Sequence, residues 1–341
     1  MNAKEFFGSL RAGILLPVYV FCGKEDYLRQ EAVRRLKKQA LAGAEEGLDS
    51  VTLTNPTVQQ IVENAETYPF MSPRRFILVR DAALIHKEGR ASGEGDAGAG
   101  GKDEEALLDY LLRIPETCCL VFDCGEALDK RRKLGRGLSQ LEGFVSFDPM
   151  EEADTAAFLM RHAKRAGVEI RQDACEKLIF LCGNDLGTLT TELDKLITYA
   201  GENGSVTPEV IEALCVKSAE AKVFEMIDDI VEKRTAKAYQ QMETLLASGE
   251  SRLGIISLVA RQMRQMLYVR DLMDEGRPQS EIAARLGMKP FIVRKTAARV
   301  RSIDRGRLEK QLKQCIQAEY DVKSGAQSEE AVFDMLLMRL Q

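Results

Sequence analysis

The stretch "PVYVFCGKEDYLRQEAVRRL" (Pro17–Leu36) decides the fold class. Its apolar run Val18–Phe21 is short, β-branched and aromatic, which reads as a buried strand. Cys22-Gly23-Lys24 ends the run. Leu28, Ala32, Leu36 and Ala40 then recur at helical spacing. Strand, Gly-bearing loop and helix in this order is the layout of a nucleotide-binding unit.

The unit repeats across the first ~150 residues. Further strand signals lie at Val51–Thr54, Phe76–Arg80, Thr117–Phe122 and Phe144–Phe147, with helical patterns such as Leu107, Leu108, Leu111 and Leu112 between them. Such alternation predicts a parallel sheet covered by helices on both faces. One segment interrupts it. "KEGRASGEGDAGAGGKDEE" (Lys87–Glu105) has no large apolar residue and cannot offset its ordering entropy by burial, so a mobile loop is expected over 87–105.

The chemistry of a phosphate loop is missing from the opening unit. G-x-x-x-x-G-K-[ST] wraps phosphates in successive N–H groups and offers a hydroxyl to Mg²⁺. Here one glycine, Gly23, precedes Lys24, and Glu25 places an anion where the hydroxyl belongs. Asp26 reads as the cap of the following helix. "FILVRDA" (Phe76–Ala82) ends in Arg80-Asp81 and "CLVFDCGE" (Cys119–Glu126) in Asp123-Cys124, so neither strand closes on the acidic pair that holds Mg²⁺ and water. The scaffold resembles that of a P-loop ATPase, and the residues that would carry its chemistry are absent from these segments.

Beyond Asp148 the pattern is helical and strand signals disappear. Helices are expected at Thr155–Gly167, Asp173–Cys182, across "GNDLGTLTTELDKLITYAG" (Gly183–Gly201) and from Pro208, giving a small helical domain. The remainder reads as seven helices, the clearest being Leu253–Met273 with its stripe of Ile256, Val259, Met263, Met266 and Leu267.

Composition is that of an ordinary globular protein: 45% apolar, 30% charged. No apolar run approaches the roughly 20 residues of a membrane span, and the N-terminus lacks a signal-peptide pattern. The eight cysteines, at 22, 118, 119, 124, 175, 182, 215 and 315, form no C-x-x-C pair, and the two histidines, His86 and His162, are far apart. Reduced, buried thiols in a cytoplasmic protein are therefore expected, with no metal and no cofactor.

Charge is uneven. The net value is −5, yet residues 251–310 hold 14 Lys/Arg against 6 Asp/Glu. Within them, "SEIAARLGMKPFIVRKTAARVR" (Ser280–Arg301) has the form of a helix-turn-helix, with Gly287 at the turn. A DNA-binding regulator using residues 280–301 would set the second helix in the major groove. Lys289, Arg294, Lys295 and Arg299 are the candidate DNA contacts. Consecutive Phe291, Ile292 and Val293 argue that part of this helix is buried instead.

Taken in order, "PVYVFCGKEDYLRQEAV", "AETYPFMSPRRFILVRDA", "LVFDCGEALDKRRKL", "AGVEI", "GNDLGTLTTELDKLITYAG", "VFEMIDDI" and "IAARLGMKPFIVRKTAARVR" resemble the delta subunit family of the bacterial DNA polymerase III clamp loader over essentially the full length. The resemblance implies α/β then all-α architecture: a degenerate AAA+-like parallel-sheet domain (1–148), a small helical lid domain (149–214) and a helical collar domain (215–341). It implies a non-catalytic subunit of the polymerase III holoenzyme, with no ATPase of its own, which binds the sliding clamp (beta subunit) and opens its ring for loading onto primed DNA. Its partners would be the tau/gamma ATPase and delta-prime subunits and, through the complex, primer–template DNA, with no membrane. The clamp-binding pair maps onto Pro69-Phe70, with Met71 following; proline stands where the family favours a bulky apolar residue. From the residues alone, Tyr68, Phe70 and Met71 could equally plug the domain's own core. Pro69 and Pro73 favour a projecting turn.

Overall fold

Alternation along β1 (Val18–Cys22) builds the first unit outward in both directions. The computed structural model describes all residues except 44–46, 83–98, 126–127, 233, 289 and 341, and only the backbone at 99–102, 152 and 337. In chain order the first unit holds α1 (Ala3–Arg11), β1, α2 (Asp26–Ala40), β2 (Ser50–Thr54), α3 (Val58–Glu66), β3 (Arg75–Arg80), α4 (Ala99–Leu111), β4 (Cys118–Asp123), α5 (Lys133–Gln140) and β5 (Phe144–Ser146). The strands form one parallel sheet in the order β2-β3-β4-β1-β5. Every residue of β1 is buried, as expected of the strand that two neighbours flank and helices cover on both faces.

Successive side chains face opposite sides. Val18, Val20, Ile77, Val79, Leu120 and Phe122 join Ile61, Leu107, Leu134 and Leu138 from α3, α4 and α5 in one core. On the other face Phe6 of α1 meets Phe21 edge-on at 5.1 Å between ring centroids, and Phe21 meets Phe147 at 5.2 Å. These pairings add directional aromatic contacts to burial.

Contacts divide the chain into two compact units, Met1–Glu151 and Glu152–Gln341. The second holds α6 (Glu152–Arg165), β6 (Glu169–Ile170), α7 (Gln172–Cys182), α8 (Leu186–Ala200), β7 (Ser205–Val206), α9 (Pro208–Leu214), α10 (Ala219–Val231), α11 (Thr235–Ala247), α12 (Arg252–Asp274), α13 (Gln279–Leu286), α14 (Pro290–Val300), α15 (Arg305–Lys323) and α16 (Glu329–Leu340). The α12 stripe of Ile256, Val259, Met263, Met266 and Leu267 is buried in a core shared with α10, α14, α15 and α16. Within this unit Phe180 of α7 stands edge-on to Phe224 of α10, 5.2 Å between centroids.

Three expectations need correction. Strands do not disappear after Asp148: β6 and β7 pair in parallel, Ile170 beside Val206, but two residues are too few to show a period. The loop expected over 87–105 ends earlier, because α4 begins at Ala99. Glu104 pairs with Arg132 and accepts the N–H of Leu134 at 3.2 Å, and Glu105 pairs with Lys133, so acidic residues that read as solvated are held by a basic neighbour. The rest of that expected loop lies outside the described residues. Asp26 does not cap α2 but opens it, and its carboxylate takes Arg29 instead.

Candidate functional site

Residues 67–74 connect α3 to β3 without regular structure. The helix before them is fixed by a capping box, in which Thr57 accepts the N–H of Gln60 and the Gln60 side chain accepts that of Thr57. It stops at Glu66, where the backbone of Thr67 turns extended and its hydroxyl donates to Glu63 O at 2.7 Å.

Asp49, just before β2, organises this connection. Its buried carboxylate accepts the N–H groups of Phe70 at 2.5 Å, Met71 at 2.7 Å and Ser72 at 2.8 Å. Its own carbonyl accepts Phe76 N–H at 2.8 Å, tying it to β3 as well. Three consecutive N–H groups folded around one anion form a nest. The N–H of Phe70, then that of Met71, pull the Asp49 carboxyl from its ordinary 3.8 down to about 2.

Turning three N–H groups inward leaves the side chains outward. Tyr68 is 81% exposed, Phe70 74% and Met71 82%, while Pro69 is half-buried beneath them. Leu48, adjoining Asp49, is also exposed, and its carbonyl accepts Arg75 Nη1 at 3.0 Å. Bulky apolar side chains rarely stand side by side in water without a partner to meet. The core-plug alternative does not hold for Tyr68, Phe70 or Met71. Sequence reading missed Asp49, because nothing in a lone aspartate marks it as the acceptor for a loop 21 positions on.

The loop after β1 is closed on itself. Gly23 has φ +135°, and a Cβ there would lie 2.2 Å from Phe147 O, so no other residue fits. The N–H groups that a phosphate would need are already bound: Gly23 N–H to Gly125 O at 2.9 Å, Glu25 N–H to Phe147 O at 2.9 Å and Asp26 N–H to Lys24 O at 3.0 Å. Arg29, buried on α2, donates to Gly23 O and to Asp123 Oδ1, both at 2.6 Å. Asp123, the acid at the end of β4, is also approached by Gln30 at 3.4 Å and Arg80 at 3.7 Å. A guanidinium therefore occupies the space between loop and strand-end acid. Lys24 points to solvent. Arg29 lies one position past the Leu28 stripe, a place that sequence reading assigns to the helix surface.

The basic helix α14 is only in part a surface. Val293, Ala297 and Val300 are core residues, and Phe291 stacks edge-on against Phe180 at 5.5 Å. Arg294 is exposed, on an open cleft it shares with Lys177, Asp173, Glu176, Glu209 and Glu212. Lys295 sets its ammonium 5.3 Å from the centroid of Phe291 and 5.8 Å from those of Phe180 and Phe224. Burial, then the charge of Lys177, lowers its pKa. Arg299 corrects the expectation of a DNA contact: it is buried, pairs with Asp228, and lies 4.1 Å over the Phe224 ring. Lys289 lies outside the described residues. Of the candidate cations among the described residues, Arg294 and Lys295 are exposed and Arg299 is turned into the helix packing.

Two family models match the chain: DNA polymerase III, delta subunit, over residues 19–147, and DNA polymerase III delta subunit, C-terminal domain, over 220–340. The exposed tip falls in the first and residues 280–301 in the second. A DNA polymerase III subunit delta of Bacillus subtilis (strain 168) is 27% identical over 339 residues, 98% of this chain and 96% of its own. A probable DNA polymerase III subunit delta of Aquifex aeolicus (strain VF5) is 23% identical over 193 residues, 55% of either chain. Among solved structures, a Bacillus subtilis DNA clamp loader delta protein matches with a TM-score of 0.56 at 25% identity, over 99% of both chains. Among the described residues, no helix is long and apolar enough to cross a membrane.

Proposed function

Because the chain belongs to the DNA polymerase III delta subunit family, we propose that it grips a sliding clamp through Phe70 and Met71, set on Pro69, and shifts that ring toward its open form. As a clamp-loader delta subunit it works in DNA replication, in complex with other clamp-loader components. The observation that carries the finer reading is the exposure of adjacent apolar side chains on a backbone pinned by Asp49. A pinned tip has little freedom left to lose on docking, so more of the burial energy survives as affinity. An aromatic anchor in a desolvated pocket is the usual form of a binding hot spot.

The mechanism is linkage rather than catalysis. A clamp edge that accepts Phe70 and Met71 better when open is drawn toward the open state by the difference in affinity alone. Taking a ring from 1% to 99% open needs about 5.5 kcal/mol of preference. Two hot-spot side chains at about 2 kcal/mol each count toward it only in so far as their pocket is complete in the open ring and not in the closed one.

Arg29 and Asp123, closed on each other over Gly23, support a subunit that does not hydrolyse ATP itself. Timing would then come from the tau/gamma ATPase and delta-prime partners, with residues 149–214 as lid, 215–341 as collar and primer–template DNA reached through the complex. The setting for this work is the cytoplasm.

The test is solution binding of the purified chain to a bacterial sliding clamp, beside Phe70→Ala. Binding that the substitution weakens at least tenfold, about 1.4 kcal/mol, is expected. Binding that survives unchanged would move the site elsewhere, and absence of binding would end the clamp reading.

A further inference from the structure

Three ligand-bearing side chains far apart in sequence meet in the second unit. Cys182 is the last residue of α7, Cys215 caps the end of α9, and Glu192 lies within α8. Their two Sγ atoms and a carboxylate oxygen lie within 4.8 Å of one another. Both cysteines are buried, and the Glu192 side chain is 13% exposed.

The surroundings hold this cluster in place. Ser218 N–H donates to Leu181 O at 2.7 Å, tying the segment after Cys215 to the turn of α7 that carries Cys182. Cys215 N–H closes α9 on Ile211 O at 3.0 Å. The Glu192 carboxylate is oriented from two sides, by Lys195 Nζ at 2.6 Å and Val216 N–H at 3.3 Å, both on Oε2. Outer partners of this kind aim a carboxylate in metal centres.

We propose that Cys182, Cys215 and Glu192 form a binding site for one thiophilic divalent cation of the zinc class. Zinc takes thiolate at about 2.3 Å and carboxylate at about 2.0–2.2 Å in a tetrahedron, so its ligand atoms stand roughly 3.3–3.8 Å apart. The ligand atoms, all within 4.8 Å of one another, have at most roughly 1.5 Å to close to reach that spacing. Thiolate donors select zinc over magnesium or calcium. Charge also closes: two thiolates and a carboxylate bring three negative charges, and the cation with Lys195 brings three positive. A neutral sum suits a site largely removed from water. Binding would displace the two thiol protons to solvent, leaving the fourth position for a water. Sequence spacing alone argues against such a site, because it lacks C-x-x-C; the ligands come from the ends and middle of three packed helices instead.

The test uses the full chain, stripped with a chelator under reducing conditions and titrated with Co²⁺, then Zn²⁺. One equivalent of Co²⁺ is expected to give thiolate-to-cobalt charge-transfer absorption and tetrahedral ligand-field bands, which Zn²⁺ abolishes by displacement. Glu192→Gln should weaken uptake at least tenfold. Cys182→Ser and Cys215→Ser should each cut the charge-transfer band to half or less, while Cys175→Ser, also on α7, keeps it whole. Because a serine variant can fail to fold, alkylation of the wild-type chain gives a second readout: Zn²⁺ should protect Cys182 and Cys215 selectively. No stoichiometric band, a band undiminished in both serine variants, or recovery of Cys182 and Cys215 as a disulfide that takes up no metal would each overturn the assignment.

Discussion

The main-chain N–H of Phe70 donates to the buried carboxylate of Asp49 at 2.5 Å, while the Phe70 ring stands 74% exposed. One contact thus fixes the backbone that presents the other group. Asp49→Asn removes the charge from a nest of three N–H groups and loosens the tip without touching the side chains of Tyr68, Phe70 or Met71. Weaker clamp binding is expected, though less loss than for Phe70→Ala. In a double-mutant cycle the effects should not add: once Phe70 is gone, positioning its backbone matters less. Strict additivity would show that Asp49 serves the fold and not the tip.

The same carboxylate gives a pH signature. Its folded pKa, about 2, lies below the ordinary aspartate value of 3.8. The sign comes from linkage: a depressed pKa contributes stability that is fully present above the unfolded value and is lost as pH falls through the folded one. The stability gap between wild type and Asp49→Asn should therefore be constant from neutral pH down to about 4 and shrink toward pH 2. A gap unchanged over that window, measured by denaturant unfolding, would remove Asp49 as its source.

The sheet domain was legible because each strand is a short apolar run between helical periods, and every one of β1–β5 lies within a residue or so of where the run sits. Helices of the second unit were legible for the same reason, from stripes such as that of α12. What escaped was held by tertiary partners. β6 and β7 are too short for a period, and α4 begins early because Arg132 and Lys133 draw in its acids. Pro69-Phe70, with Met71 following, could be picked out through the family resemblance, but the exposure of Phe70 and Met71 depends on Asp49, which carries no local mark. Arg299 read as a surface cation because periodicity does not say that Asp228 and Phe224 cover it. The cysteine pair was invisible to a search by spacing along the chain.

Arg29 closes the loop that a phosphate would otherwise fill. Removing it by Arg29→Met leaves Asp123 in a buried setting with long contacts alone, from Gln30 and Gly125 N–H at 3.4 Å each and from Arg80 at 3.7 Å. A loss of about 3 kcal/mol in unfolding free energy is expected, as for other buried charges left with a broken pair. Nucleotide binding should not appear in its place, since the loop N–H groups remain bound to Gly125, Phe147 and Lys24 carbonyls. Isothermal titration with ATP and Mg²⁺ on the variant checks this; measurable binding would mean that Arg29 alone had been shutting a competent site.

The cations of α14 should separate by role. Arg299→Ala strips a charge partner from Asp228 and a stacked guanidinium from Phe224, so it should cost about 3 kcal/mol in chemical denaturation. Arg294→Ala touches only the exposed edge of the cleft and should change stability by less than about 0.5 kcal/mol. If this face meets DNA in the assembled loader, Arg294→Ala lowers affinity uniformly across sequences and reduces the salt dependence by about one counterion. Asp173, Glu176, Glu209 and Glu212 line the same cleft as Arg294, with Lys177 the other cation there, so the cleft carries more negative than positive charge and opposes a phosphate. The expected outcome is therefore an unchanged salt slope, with Arg294 serving its acidic neighbours. A slope that falls by one in the variant would instead place a DNA phosphate at Arg294 and give this helix a direct part in loading.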